Sequence, residues 1–145
     1  MSGDAVFDTR LTERSLIEAS AGTGKTYALA GLFVRAVIER RLRVPQILAV
    51  TYTVAATQEL HARVRQRLER AEVLAANWQE ENVAGEDAET AMLRALLRNA
   101  LHDGSGETLT SLRWRLARAA RDLDLAAIST IHGFCQRVLA EHALE

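Results

Sequence analysis

Hydrophobic positions along the first third of the chain change from short continuous runs to helical spacing and back. Residues 16–19 form a short, mostly apolar run and residues 47–52 form a continuous β-prone run; both predict strands, the second of them buried on both faces. Between them, from residue 25 to about 41, apolar side chains recur at helical spacing and form a broad stripe. Strand, glycine-rich turn, helix and strand in this order predict one right-handed βαβ unit.

The remainder of the chain is mostly helical in pattern. A long helix is predicted over residues 55–80, and glycine and acidic residues end it. The pattern then predicts helices at 87–102 and 107–122, a third short strand at 125–129 and a last helix at 131–142. We therefore predict an α/β fold whose parallel sheet core is interrupted by an all-helical insertion. The predicted core comprises residues 1–75 and 123–145, and the insertion comprises residues 76–122.

Composition narrows the class of protein only a little. The chain has 145 residues, 26% of them charged, and a formal net charge of −1, which gives no overall attraction to nucleic acid or membranes. Two arginine-rich runs, at 61–70 and 113–121, are interpreted as solvated helix faces. The single cysteine, Cys135, is expected to be a small buried apolar residue and suits a reducing cytoplasm. Because no signal peptide or membrane span is visible, we predict a cytoplasmic protein without a membrane partner.

The most informative residue is Lys25, the only lysine among 18 basic residues. It follows a glycine-rich turn and opens a predicted helix, where backbone N–H groups and the helix dipole favour an anion. Gly22 and Gly24 permit close approach of backbone to phosphate. Lys25 would neutralise the β- and γ-phosphates of a nucleotide, and the Thr26 hydroxyl would be one ligand of Mg²⁺. The predicted ATP-binding residues are Ala19, Ser20, Ala21, Gly22, Thr23, Gly24, Lys25 and Thr26, with Lys25 and Thr26 also assigned to catalysis.

Two further polar tracts follow predicted strands. Thr51, Tyr52 and Thr53 end the second strand, and the edge at which parallel strands end is where ligands collect in open α/β sheets. Their hydroxyls and aromatic ring suit single-stranded nucleic acid. An alternative is that Thr53 caps a helix while Tyr52 packs in the core. The second tract, residues 129–136, follows the predicted strand at 125–129. In it, Thr130 also suits a helix cap, and an isolated histidine such as His132 more often has a structural role.

Taken together, these tracts resemble three ordered motifs of the UvrD/Rep-like superfamily 1 DNA helicases. The motifs are the loop at 16–26, Thr-Tyr-Thr at 51–53 with Ala55, Ala56 and Glu59-Leu60, and Thr-Ile-His-Gly-Phe-Cys-Gln-Arg at 130–137. In that family an alanine commonly begins the loop, as Ala19 does here. The spellings Ile-Glu-Ala-Ser-Ala-Gly-Thr-Gly-Lys-Thr and Ile-His-Gly-Phe-Cys-Gln are most similar to the RecB branch.

The resemblance implies a RecA-like P-loop core that uses ATP and Mg²⁺ to move along DNA. Thr51, Tyr52, Thr53, Thr130 and His132 would contact the single strand. In the RecB branch the motor unwinds duplex ends for recombinational repair, a nuclease domain degrades the strands, and RecC- and RecD-like subunits complete the complex. The helical insertion would correspond to the start of the 1B domain.

Three departures from the family pattern limit what the resemblance implies. Val54 stands where an asparagine is frequent. No glutamine precedes residue 46, so the adenine-reading glutamine of the family is missing. The sequence also lacks the later acidic pair, the transition-state arginine and the second motor domain, so we expect an incomplete N-terminal fragment.

Alternative functions share parts of this pattern. An AddA-type or UvrD/Rep-type repair helicase has the same motifs and differs in its distal sequence. A small-molecule kinase also uses a phosphate loop but gives no reason for the tract at 130–135. A regulatory nucleotide-binding module would suit the absence of the catalytic acids.

Overall fold

A computed structural model describes residues 4–18, 24–81 and 83–143. Six α-helices and two strands are formed within these ranges. In chain order they are α1 (Asp4–Asp8), α2 (Gly24–Ile38), β1 (Leu48–Thr51), α3 (Val54–Ala76), α4 (Ala88–His102), α5 (Leu109–Asp122), β2 (Ala127–Thr130) and α6 (Ile131–His142). The fold is thus helix-rich with a small parallel sheet, which agrees with the predicted α/β class.

Side-chain caps fix where four of the helices begin. The side-chain oxygens of Thr53, Asp87, Thr108 and Thr130 each accept a hydrogen bond from a backbone N–H in the first turn, over 3.0–3.2 Å. Such caps satisfy donors that no earlier carbonyl can reach, and each typically stabilises its helix by about 1 kcal/mol. The two caps at Thr53 and Thr130 confirm the helix starts that the sequence predicted there.

One hydrophobic cluster joins the four long helices. The apolar stripe of α2 packs against α3, and α4 and α5 pack around the same centre. The side chains at the centre are almost fully buried: Val34, Val37, Ile38, Leu60, Val64, Leu68, Leu93, Leu97, Leu112 and Leu116. The helices at 88–122 therefore belong to the same core as α2, the helix that carries Lys25 in its first turn. Their assignment to a separate 1B domain remains a prediction.

Within the described residues, the sheet contains two strands and lacks the first strand that the sequence predicted. β1 pairs in parallel with β2, from Leu48 opposite Ala127 to Thr51 opposite Thr130. Residues 16–18 form no strand, and residue 19 lies outside the described ranges. The prediction of a first strand is wrong for residues 16–18, because a strand needs a neighbour to accept and donate its backbone hydrogen bonds. The βαβ unit built on that strand is therefore not formed in the described part of the chain.

Burial corrects three further expectations. β1 is not buried on both faces, since Leu48 and Val50 are exposed while Ala49 packs against the core. Cys135 is exposed rather than buried. Arg67, in the first arginine-rich run, is buried and pairs with Glu89 through Nε over 2.6 Å, so that run is not purely a solvated face.

No helix within residues 4–18, 24–81 and 83–143 is long and apolar enough to cross a membrane.

Candidate functional site

The first turn of α2 carries the described part of the predicted phosphate loop. Residues 19–23, which include Ala19, Ser20, Ala21, Gly22 and Thr23, lie outside the described ranges, whereas Gly24, Lys25 and Thr26 open the helix. The side chain of Lys25 is exposed. A lysine at this position can turn toward an anion bound at the start of the helix.

Lys25 lines a cleft of about 350 Å³ between α2 and the segment that precedes the predicted loop. α2 contributes Lys25 and apolar residues one and two turns further on, and the preceding segment contributes two hydroxyls and two aliphatic side chains. The lining residues are Thr9, Ser15, Leu16, Ile17, Lys25, Ala28, Leu29 and Leu32. Apolar walls with a few polar groups are typical of small-ligand sites. Because Lys25 is the only charged residue among the described residues of this lining, the cleft suits a ligand with an apolar part and an anionic part.

The second arrangement lies at the edge where both strands end. Thr51 is paired with Thr130 across the sheet, so the two polar tracts that the sequence singled out are neighbours in space. α3 begins three residues after Thr51, and α6 begins directly after Thr130. Two helix N-termini therefore start beside each other at one sheet edge, and their dipoles make this edge favourable for negative charge.

The threonine hydroxyls at this edge already have protein partners. Thr51 Oγ1 lies 3.1 Å from the carbonyl oxygen of Thr53, to which it can donate a hydrogen bond. It also lies 2.7 Å from Thr57 Oγ1, and either hydroxyl can be the donor of the hydrogen bond between them. Thr53 and Thr130 use their side-chain oxygens as helix caps, accepting from Ala56 and Gly133. These three side chains hold the strand ends and helix starts in position.

Tyr52 and His132 project from this edge into solvent. Tyr52 is 90% exposed, so the alternative that places it in the core is wrong. The reason is local: β1 ends at Thr51, α3 starts at Val54, and the tyrosine lies in the short connection between them. His132, in the first turn of α6, is also exposed. The structure thus brings together Thr51, Tyr52, Thr53, Thr130 and His132 at one edge, whereas Lys25 lines a cleft built from other elements.

Sequence reasoning missed two groups of residues near these arrangements. Arg137 on α6 donates from Nη2 to Ser129 Oγ over 3.1 Å, which places a guanidinium beside the end of β2. Its position seven residues after Thr130, two helical turns on, was a usable signal. The cleft wall at 9–17 was also missed, and its pattern of mixed polar and apolar residues carries no signal for a binding site.

No cluster of three or more His, Cys, Asp or Glu side chains suited to a metal occurs in the described part of the chain. The Thr26 hydroxyl, in the first turn of α2 beside Lys25, is an oxygen donor of the type that Mg²⁺ prefers.

Comparison with known proteins assigns this architecture to a class. Residues 4–145 match the UvrD/REP helicase N-terminal domain, so the chain belongs to the UvrD/REP helicase family. This confirms the resemblance that the three motifs indicated.

Among its curated relatives are RecBCD enzyme subunits RecB from several bacteria. The chain is 37% identical to that of Haemophilus influenzae over 145 residues and 37% identical to that of Escherichia coli K12 over 142 residues. It is 41% identical to that of Mycolicibacterium smegmatis over 126 residues. These alignments cover 92%, 90% and 86% of this chain but only 11%, 10% and 10% of the relatives. The chain thus spans about a tenth of the length of the relatives it matches.

Proposed function

We propose that this chain is the ATP-binding N-terminal part of a RecB-type, ATP-dependent DNA helicase that unwinds and processes double-strand ends for recombinational repair. The observation that carries the proposal is the in-register pairing of Thr51 with Thr130. It unites two sequence motifs, 79 residues apart by their numbers, at one sheet edge with two helix N-termini. A small-molecule kinase or a regulatory module would not require these two motifs to lie together.

For the nucleotide, the proposed site combines the loop at 19–26 with the cleft beside it. Lys25 would neutralise the β- and γ-phosphates, and Thr26 would hold Mg²⁺, which lowers the charge repulsion around the γ-phosphate. The aliphatic side chains of Leu16, Leu29 and Leu32 offer a face for the base. Base contacts in this cleft would rest on apolar surface and on the hydroxyls of Thr9 and Ser15.

For DNA, the proposed contacts are those at the sheet edge. The exposed Tyr52 ring suits stacking with a base, because every base has a π-face. The first two turns of α6, with His132 and Arg137, suit the phosphate backbone. Thr51, Thr53 and Thr130 would contact the strand at this edge, while Thr53 and Thr130 maintain the caps described above.

The parent protein is proposed to be longer and to act in the cytoplasm. It would contain the acidic pair, the transition-state arginine and the second motor domain, together with a nuclease domain and RecC- and RecD-like partner subunits. This chain alone is proposed to bind nucleotide weakly without appreciable turnover, because losing transition-state charge stabilisation costs orders of magnitude in rate.

The DNA part of the proposal is tested with a fluorescein-labelled oligo-dT and this chain, by fluorescence anisotropy. We expect weak, saturable binding that declines steeply between about 50 and 200 mM salt, because phosphate contacts release counterions. A blunt duplex of equal length without single-stranded ends is the matched competitor, and it should compete poorly. No binding at the lower salt concentration, or equal competition by the duplex, would contradict a single-strand interface on this chain.

A further inference from the structure

The outer wall of the Lys25 cleft has no regular secondary structure of its own. Residues 10–18 form neither helix nor strand, yet Ser15, Leu16 and Ile17 line the cleft opposite α2. A segment of this kind loses conformational entropy when it is held in place, so something must anchor it. Within the described residues, the contact between α1 and the middle of α2 lies directly before this segment and can anchor it.

Arg35, on α2, is the polar part of that anchor. Its guanidinium is buried and donates from Nη1 to the carbonyl of Val6 and, over 2.8 Å, to the carbonyl of Thr9. Thr9 is the first residue of the cleft wall. Glu39 pairs with the same guanidinium, accepting from Nε over 3.0–3.1 Å and lying 2.9 Å from Nη2. Arg35 therefore binds carbonyls at the end of α1, where no helical N–H is available to satisfy them.

Gly31 and Val6 form the apolar part of the anchor. Val6 is almost fully buried, and a Cβ added at Gly31 would lie only 2.8 Å from Val6 Cγ1. Side-chain atoms do not approach so closely without moving. The glycine one turn before Arg35 thus lets α1 lie directly on α2, within reach of the guanidinium.

Arg35 is unsuited to contact a nucleotide phosphate itself. It lies ten residues after Lys25 on the same helix, which at 1.5 Å per residue is about 15 Å along the axis. Its charge is already matched by Glu39. Its influence on a ligand must therefore pass through the segment that it holds.

We propose that Arg35 is a positioning residue of the nucleotide cleft, which, together with Gly31, fixes the wall at Thr9–Ile17 against which the nucleoside part of ATP binds. This inference rests on the proposed nucleotide site and adds a residue to it. The wall faces the base end of the ligand, and the phosphates bind at Lys25. Loosening the anchor therefore weakens binding of the nucleoside and leaves binding of the phosphate chain unchanged.

The test compares two ligands that differ in the nucleoside. Fluorescent ATP is titrated with Mg²⁺ into this chain, and unlabelled ATP and inorganic tripolyphosphate are used as competitors. The variants are Arg35→Lys, which keeps the charge but cannot bind two carbonyls and a carboxylate in one plane, and Gly31→Ala, which keeps the arginine but displaces Val6, whose carbonyl accepts from it. The control is Arg63→Lys, since the Arg63 guanidinium pairs with Glu59 on the exposed side of α3.

We expect both variants to weaken ATP about tenfold, which equals about 1.4 kcal/mol, and to leave tripolyphosphate within about twofold of the unsubstituted chain. Equal weakening of both ligands, or no weakening of either, would overturn the inference. Should Arg35→Lys fail to fold, Gly31→Ala decides by the same criterion.

The proposed function is tested separately by Lys25→Ala. If ATP and tripolyphosphate bind Lys25→Ala with the same affinity as they bind the unsubstituted chain, the nucleotide site itself is refuted. Loss of both ligands in Lys25→Ala, with unchanged ATP affinity in the two anchor variants, would refute only the inference about Arg35.

Discussion

Replacing Lys25 by alanine is expected to lower the affinity of this chain for Mg²⁺-bound ATP by at least about a hundredfold. An ammonium about 4 Å from a phosphate oxygen contributes about 4 kcal/mol at the effective dielectric of a protein surface, and a hundredfold corresponds to less than that. Lys25→Arg should recover little of the loss, because the wide guanidinium does not fit where a compact ammonium reaches the phosphates. The measurement is an equilibrium titration of fluorescent ATP.

Arg40→Ala is the matched control for this prediction. Arg40 follows the other end of α2 and is exposed, so its removal takes away one positive charge without altering the cleft. An equal loss of affinity in Arg40→Ala and Lys25→Ala would show that only net charge attracts the nucleotide. That result would contradict a phosphate site at the start of α2.

Replacing Tyr52 by alanine is expected to weaken binding of oligo-dT about tenfold or more. Stacking of one base on an aromatic side chain contributes about 1–3 kcal/mol, and Tyr52 is the exposed aromatic ring at the sheet edge. Tyr52→Phe should retain most of the affinity, because the ring and not the hydroxyl carries the stacking. Fluorescence anisotropy at constant salt measures the affinity of the unsubstituted chain, Tyr52→Ala and Tyr52→Phe for labelled oligo-dT.

Trp114→Ala separates this prediction from a general effect of removing aromatic surface. Trp114 is 59% exposed on α5, away from the strands. We expect this variant to bind oligo-dT like the unsubstituted chain. If Trp114→Ala loses as much affinity as Tyr52→Ala, or if Tyr52→Ala loses none, the proposed strand-end interface is wrong.

The helices were predictable because their signals are local. α6 was predicted from residue 131 to 142, and the structure places it at Ile131–His142, since Thr130 supplies the cap and the apolar spacing continues behind it. α4 and α5 were predicted to within two residues of their observed starts. The sheet was harder, because pairing joins residues far apart in sequence. An apolar run such as residues 16–18 indicates a strand without indicating whether a partner is available.

The candidate site also contains residues with local sequence signals and residues whose roles depend on contacts between distant segments. Lys25 and the two threonine tracts carry recognisable residue types at fixed spacing, so the sequence alone singled them out as candidates. The pairing of Thr51 with Thr130 depends on the register of two distant strands. Arg35 could not be identified, because its importance arises from the packing of α1 against α2, which no spacing of residues within either helix reveals.

The most direct test of the proposed motor function is whether ATP and DNA binding are coupled in this chain. Fluorescent ATP is titrated with Mg²⁺ in the absence and presence of saturating oligo-dT, with Lys25→Ala alongside. The proposal predicts that binding is lost in Lys25→Ala and that oligo-dT changes the affinity of the unsubstituted chain for ATP. Binding that depends on Lys25 but is unaffected by oligo-dT would contradict a DNA motor and favour a kinase or a regulatory nucleotide-binding module.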